Sequence, residues 1–227
     1  MTVAPGEARP LPIAILISGR GSNMLAIAAA ARGGTLPVRV VAVVSDQAHA
    51  AGLARAQELG LPCEVLERRP DEDRAAYDRR LSALLRKFEP GLVVLAGFMR
   101  ILGEAFVEEF SGRLLNIHPS LLPEYRGLHT HARVLAAGDR EHGCSVHFVT
   151  SELDGGPVVL QARVPVLPGD TEHSLSARVQ AAEHRIYPQV IEWYASGRLA
   201  WKDHGPWLDG RPLHDPILLD QGGAAPT

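Results

Sequence analysis

Asn116 and His118, an amide and an imidazole two residues apart, are the side chains of this sequence best placed to do chemistry. They stand in the run Asn116-Ile117-His118-Pro119-Ser120, whose apolar approach predicts a strand. Alternate side chains of a strand leave from one face, so the two polar groups project together, and Pro119 ends the strand beyond them. Further along, Asp154 stands in a turn with Gly155, Gly156 and Pro157. An amide, an imidazole and a carboxylate can together polarise a carbonyl and shuttle a proton without a metal. The carboxylate favours the imidazolium, a competent general acid near neutral pH. That set points to acyl-type chemistry. Each residue also has a plain structural role open to it: Asn116 satisfying backbone groups, His118 closing a strand, Asp154 making a turn.

A second candidate is Ser18-Gly19-Arg20-Gly21-Ser22-Asn23, between a predicted strand and an Ala-rich helix. Backbone N–H groups at a helix N-terminus bind phosphate, and glycines let the anion approach. A dinucleotide fingerprint would need glycine where Met24 stands, so a mononucleotide-like phosphate site fits better than NAD. Asp46, ending the second strand, could mimic a ribose-binding acid, but only behind that broken fingerprint. His142, Cys144 and His147 match no common zinc spacing, and Cys144 and His147 should face opposite sides of their strand. No metal is expected. His147 is read as packing beneath the site, and His129 and His131 as solvated residues of a Gly-bearing loop.

The elements that must hold these groups alternate through the first half. Strands are expected at Ile13–Ile17, Val38–Ser45, Cys63–Leu66, Leu92–Ala96 and Arg113–His118, with helices near 23–32, 50–59, 71–88 and 104–110. The helix over 71–88 carries Tyr77, Leu81, Leu84, Leu85 and Phe88 on one stripe. Ser145–Thr150 and Val158–Val164 then read as an antiparallel pair. A long helix over 171–194 buries Leu175, Val179, Ala182, Ile186 and Val190, and Pro188 should bend it. The fold class is α/β, a Rossmann-like, mainly parallel sheet with antiparallel C-terminal strands. Right-handed crossovers put the strand C-termini on one edge, so the glycine turn and Asn116/His118 belong to one site.

A chain of 227 residues suits one large domain, expected over 13–208, with 1–12 a flexible extension and 209–227 a tail. A formal net charge of −3 gives no global attraction to nucleic acid or to a membrane. No apolar run approaches the roughly 20 residues needed to span a bilayer, and 1–10 lacks the core of a signal peptide. Two cysteines on separate predicted strands make no disulfide framework, so the chain reads as cytoplasmic.

Four blocks in order carry a resemblance: Ile17 to Asn23, Leu95-Ala96-Gly97-Phe98-Met99-Arg100-Ile101-Leu102, Leu115 to Pro123, and His147 to Pro157. With Gln180-Ala181-Ala182-Glu183-His184 they make the chain similar to the folate-dependent formyltransferases, in particular the branch acting on glycinamide ribonucleotide. The resemblance implies the formyltransferase fold. It also implies transfer of a formyl group from 10-formyltetrahydrofolate, as co-substrate, to the amine of 5′-phosphoribosylglycinamide in purine (IMP) biosynthesis. Asn116, His118 and Asp154 would be catalytic. Gly21, Ser22, Asn23, Gln180 and Glu183 would hold the phosphate and ribose. Folate would meet Arg74, Met99, Arg100, Ile101, Leu102, Asn116, Thr150, Ser151, Glu152, Leu153 and Asp154, with Leu95, Phe98, Val107 and Leu114 as apolar walls. Arg74 would reach the benzoylglutamate end. The partners are the two small substrates, with no nucleic acid or membrane, and a homodimer is left open. The tRNA-acting relatives carry a further C-terminal domain and the formyltetrahydrofolate hydrolases a further N-terminal one; on length neither is expected. The alternatives are that hydrolase activity, or a folate- or nucleotide-binding protein without catalysis.

Overall fold

The computed structural model describes residues 9–219. Its first half is a regular alternation of strand and helix: β1 (Leu11–Ile17), α1 (Ser22–Arg32), β2 (Val38–Ser45), α2 (Ala51–Glu58), β3 (Cys63–Val65), α3 (Arg74–Arg86), β4 (Leu92–Leu95), α4 (Glu104–Glu109) and β5 (Leu114–His118). The second half runs α5 (Thr130–Ala137), β6 (Glu141–Phe148), β7 (Val158–Pro165), α6 (Glu172–Ala195), β8 (Leu199–Lys202), β9 (Gly205–Leu208), β10 (Arg211–Pro212) and β11 (Ile217–Leu219).

Eight strands form one sheet in the order β11-β7-β6-β5-β4-β1-β2-β3. β6 alone runs against the others, pairing antiparallel with both β5 and β7. Within this sheet the expected antiparallel C-terminal pairing is that of β6 with its two neighbours, since β11 pairs parallel with β7. From β1 the chain winds outward to β2 and β3, then returns to place β4 on the other side of β1. The loops after β1 and β4 diverge there, which leaves a crevice at the strand C-termini.

The two faces of β1 follow its period of two. Ile13, Ile15 and Ile17 pack with Met24 and Ile27 of α1, Leu53 of α2 and Leu175, Val179 and Ile186 of α6. Ala14 and Leu16 pack with Tyr77, Leu81 and Leu85 of α3 and Phe106 of α4 on the other face. The five stripe residues expected on α6 are all buried, and the helix runs on through Pro188. The Tyr187 hydroxyl lies 3.0 Å from the carbonyls of both Leu95 and Leu115, tying α6 to the ends of β4 and β5.

Three features depart from expectation. The Gly-bearing loop after Gly127 becomes α5, too short and too polar at its start to declare itself by periodicity. The segment from Leu199 folds as a small antiparallel sheet, β10-β9-β8, across the boundary expected at 208. The tail then supplies β11 to the main sheet. At the other end β1 begins at Leu11, and most of the expected extension lies outside the described residues. Among the described residues no helix is long and apolar enough to cross a membrane.

Candidate active site

The crevice between β1 and β4 is closed by bonds between its two loops. Ser18 N–H donates to the Gly97 carbonyl at 3.0 Å, and Met99 N–H to Ser18 Oγ at 2.8 Å. Gly21 precedes α1 with a left-handed φ of 69°, and no side chain caps the helix. The first-turn N–H groups of α1 lack intrahelical partners and make an anion site. They adjoin a cavity of about 300 Å³ lined by Ser18 to Asn23, Gly97, Gln180 and Glu183.

All five expected substrate residues meet there. Asn23 Nδ2 donates to Glu183 Oε2 at 2.8 Å, and Gln180 Nε2 to Ser22 Oγ at 3.0 Å. Asn23 Oδ1 is buried without a partner. Burial pushes the Glu183 carboxyl up, opposed by the Asn23 hydrogen bond. Arg20, Met99, His131 and Ser176 line the same cavity. Of these, Arg20 belongs to the phosphate turn expected from the sequence, and the other three do not. Arg20 stands inside the glycine turn, and its charge was the signal available.

Asn116 and His118 emerge from the end of β5, and Asp154 approaches them from the turn between β6 and β7. His118 is buried, with Nδ1 3.5 Å from Asp154 Oδ2. Its Nε2 lies 3.0 Å from the Tyr125 carbonyl, which can only accept, so Nε2 carries the proton. Asp154 has a left-handed φ of 48°, and its Oδ2 also accepts from Gly127 N–H at 2.9 Å. The carboxylate is thus fixed by backbone as well as by the imidazole.

His147 stands directly across from Asn116 in the β5–β6 pairing. Its Nδ1 lies 2.9 Å from the Phe148 carbonyl and must donate there. Nε2 is then free to accept from Asn116 Nδ2 at 3.1 Å. Burial lowers the His147 pKa to about 4, which keeps the ring neutral and this tautomer in place. The second N–H of the Asn116 amide is left free to serve a ligand. The placing of His147 beneath the site agrees with its sequence reading.

Beside this trio a cleft of about 100 Å³ is lined by Leu95, Phe98, Arg100, Ile101, Leu102, Asn116 and the loop Thr150 to Asp154, with Ser151, Glu152 and Leu153 in it. Two residues expected at the folate line neighbouring cavities. Met99 points to the anion cavity and is 70% exposed. Arg74, at the start of α3, lines a separate groove of about 740 Å³ against Gly103 and α4. Val107 and Leu114 are not cleft walls; they are buried in the core between the sheet and α3 and α4, because apolar residues at those positions face inward. His131 is not a solvated loop residue either. It lies in the first turn of α5, half-buried, with Nδ1 2.9 Å from Nε2 of buried His142. Burial lowers the His131 pKa and brings that of His142 to about 4. Among the described residues no three His, Cys, Asp or Glu side chains group closely enough to hold a metal ion.

The two cavities lie at the switch point of a mostly parallel sheet, where folds of this kind bind ligands. The chain belongs to the formyl transferase family, whose pattern matches residues 11–191. Within it the chain is similar to enzymes named phosphoribosylglycinamide formyltransferase. It is 55% identical to that of Escherichia coli over 201 residues, covering 88% of this chain and 95% of the relative. Identity to that of Haemophilus influenzae is 45% over 201 residues, covering 88% and 95%. Among solved structures, the phosphoribosylglycinamide formyltransferase of Coxiella burnetii superposes with a TM-score of 0.87 at 48% identity, covering 92% of this chain and 99% of that one.

Proposed function

We propose that the chain transfers the formyl group of 10-formyltetrahydrofolate to the amine of 5′-phosphoribosylglycinamide, giving formylglycinamide ribonucleotide in purine biosynthesis. One observation carries the proposal: Asn116, His118 and Asp154 converge at one wall of the cleft beside the anion cavity, where an amine and a formyl carbon would meet. The N-terminus of α1 with Gly21, Ser22 and Asn23 takes the phosphate, and Gln180 and Glu183 orient the ribose end. The 98–102 and 150–154 segments take the pteridine.

The neutral amine attacks the formyl carbon and negative charge builds on its oxygen. The free N–H of Asn116 donates to that oxygen, and His118 as imidazolium adds a second donor. Its Nε2–H exchanges the Tyr125 carbonyl for the oxyanion. The amine gives up one proton and the leaving folate nitrogen takes one, with His118 as the relay and Asp154 holding the orientation of its ring. No covalent enzyme intermediate is required. Cys63 and Cys144 are free thiols, which suits a cytoplasmic protein.

The test is formyl transfer with purified protein and both substrates, following deformylated folate by absorbance, beside a reaction lacking the ribonucleotide. Release that depends on the ribonucleotide is the expected result. Release without it would make the protein a hydrolase, and no release by folded protein would make it a binding protein.

A further inference from the structure

Asp46 follows the last residue of β2 and has no part in the chemistry above. Its side chain is 4% exposed, and its Oδ1 has no hydrogen-bond partner. Oδ2 lies 3.7 Å from Nη1 of Arg100 and accepts from Gln47 Nε2 at 3.4 Å. The Arg100 guanidinium stacks 3.9 Å from the centre of the Tyr77 ring, and the Tyr77 hydroxyl donates to the Leu66 carbonyl at 2.9 Å. A buried carboxylate demands a cation, and an aromatic face adds a second attraction for a planar one. Arg100 belongs to the cleft loop, yet its head is engaged by the protein itself. The same loop is pinned at its flanks, by Ser18 to Met99 N–H at 2.8 Å and by Asp78 Oδ2 to Gly103 N–H at 2.7 Å.

We infer that Asp46 and Tyr77 hold Arg100 as a tether that shapes the 98–102 loop, so that Arg100 serves the folate through the loop and not by pairing with its carboxylates. The inference rests on the formyl-transfer reading and names Asp46, Tyr77 and Arg100 as positioning residues. Between the two pinned ends, the tether fixes the middle of the loop. Loosening it widens the cleft while leaving the anion cavity intact.

The experiment compares the binding of tetrahydrofolate and of tetrahydropteroate, which lacks the glutamate, to the full chain and to Asp46→Asn, Arg100→Gln and the double variant. Each single variant should weaken both ligands alike, by about tenfold, the scale of a coupling between groups in contact. The double variant should be no weaker than Arg100→Gln alone, and KM for the ribonucleotide should stay put. Loss confined to tetrahydrofolate would mean that Arg100 pairs with the glutamate, and would overturn the inference. So would full affinity in Asp46→Asn, or losses that add in the double variant. Should Asp46→Asn not fold, Arg100→Met carries the same comparison of ligands. Failure of the formyl-transfer reading would look different, since it would show in the unaltered chain alone, as folate release that does not depend on the ribonucleotide or as no release at all, whatever the variants do to pteridine binding.

Discussion

Replacing His147 by alanine tests how the oxyanion donor is held. The ring accepts from Asn116 Nδ2 at 3.1 Å and donates to the Phe148 carbonyl at 2.9 Å, so its loss frees the amide to rotate. Removing an oxyanion donor outright costs about 10²–10³ in kcat. Losing only its orientation should cost less, about 10–10². The ring lines the folate cleft and not the anion cavity, so KM for the ribonucleotide should hold. Stability should fall too, because the Phe148 carbonyl loses its partner, a cost of about 1–3 kcal/mol. A pH dependence follows with a definite sign. Burial takes His147 from an ordinary 6.5 to about 4, so the unfolded chain takes up its proton first. The stability linked to this group is therefore complete above about pH 6.5, declines below it and is gone below about pH 4, about 3 kcal/mol in all. Steady-state kinetics near pH 7.5, with urea melts at pH 6.5 and 4.5, read both effects, and His147→Ala should show the shallower loss on acidification. A folded His147→Ala with full kcat would refute the reasoning. So would a loss that simply adds to that of Asn116→Ala, since the two are argued to act as one unit.

Three other changes probe separate parts of the site. Asp154→Asn should lower kcat by on the order of 10²-fold or more, the scale of a lost acid–base function; activity retained with an unaltered pH profile would remove Asp154 from the mechanism. Gly52→Ala should raise KM for the ribonucleotide about tenfold and spare KM for the folate, a differential set by loop placement. An added Cβ there would stand 2.9 Å from the Gly19 carbonyl, whose bond from Gly52 N–H holds the glycine turn, and 3.1 Å from Gly21 Cα. Equal changes in both KM values would contradict it. Tyr187→Phe removes the donor shared by the Leu95 and Leu115 carbonyls and should cost about 1–2 kcal/mol in a denaturant melt, with kcat kept at low temperature.

The first half of the fold was readable because each element repeats one simple pattern. Continuous apolar runs marked β1, β2 and β4, and the stripe from Tyr77 to Leu85 marked α3 with its face. The common face of Asn116 and His118 needed only the period of a strand. The second half was harder, because β10 and β11 are too short to show any period. Their pairing comes from neighbours they meet only after the chain folds back.

The sequence by itself determined the shared face of Asn116 and His118, the glycine turn before α1 and the alternation of elements, since local geometry and residue type suffice for those. Tertiary structure alone decided which faces meet. Asn23 and Glu183 are 160 residues apart, and their bond depends on α6 crossing above α1. The same holds for His147 beneath Asn116, set by the register of β6 against β5, and for Arg100, drawn inward by Asp46 and Tyr77. Val107 and Leu114 show the reverse case, apolar residues whose sequence is indifferent between a cleft wall and a core. A side chain's type and spacing say what it can bond. The order of strands and the closing of helices over them say what lies within reach.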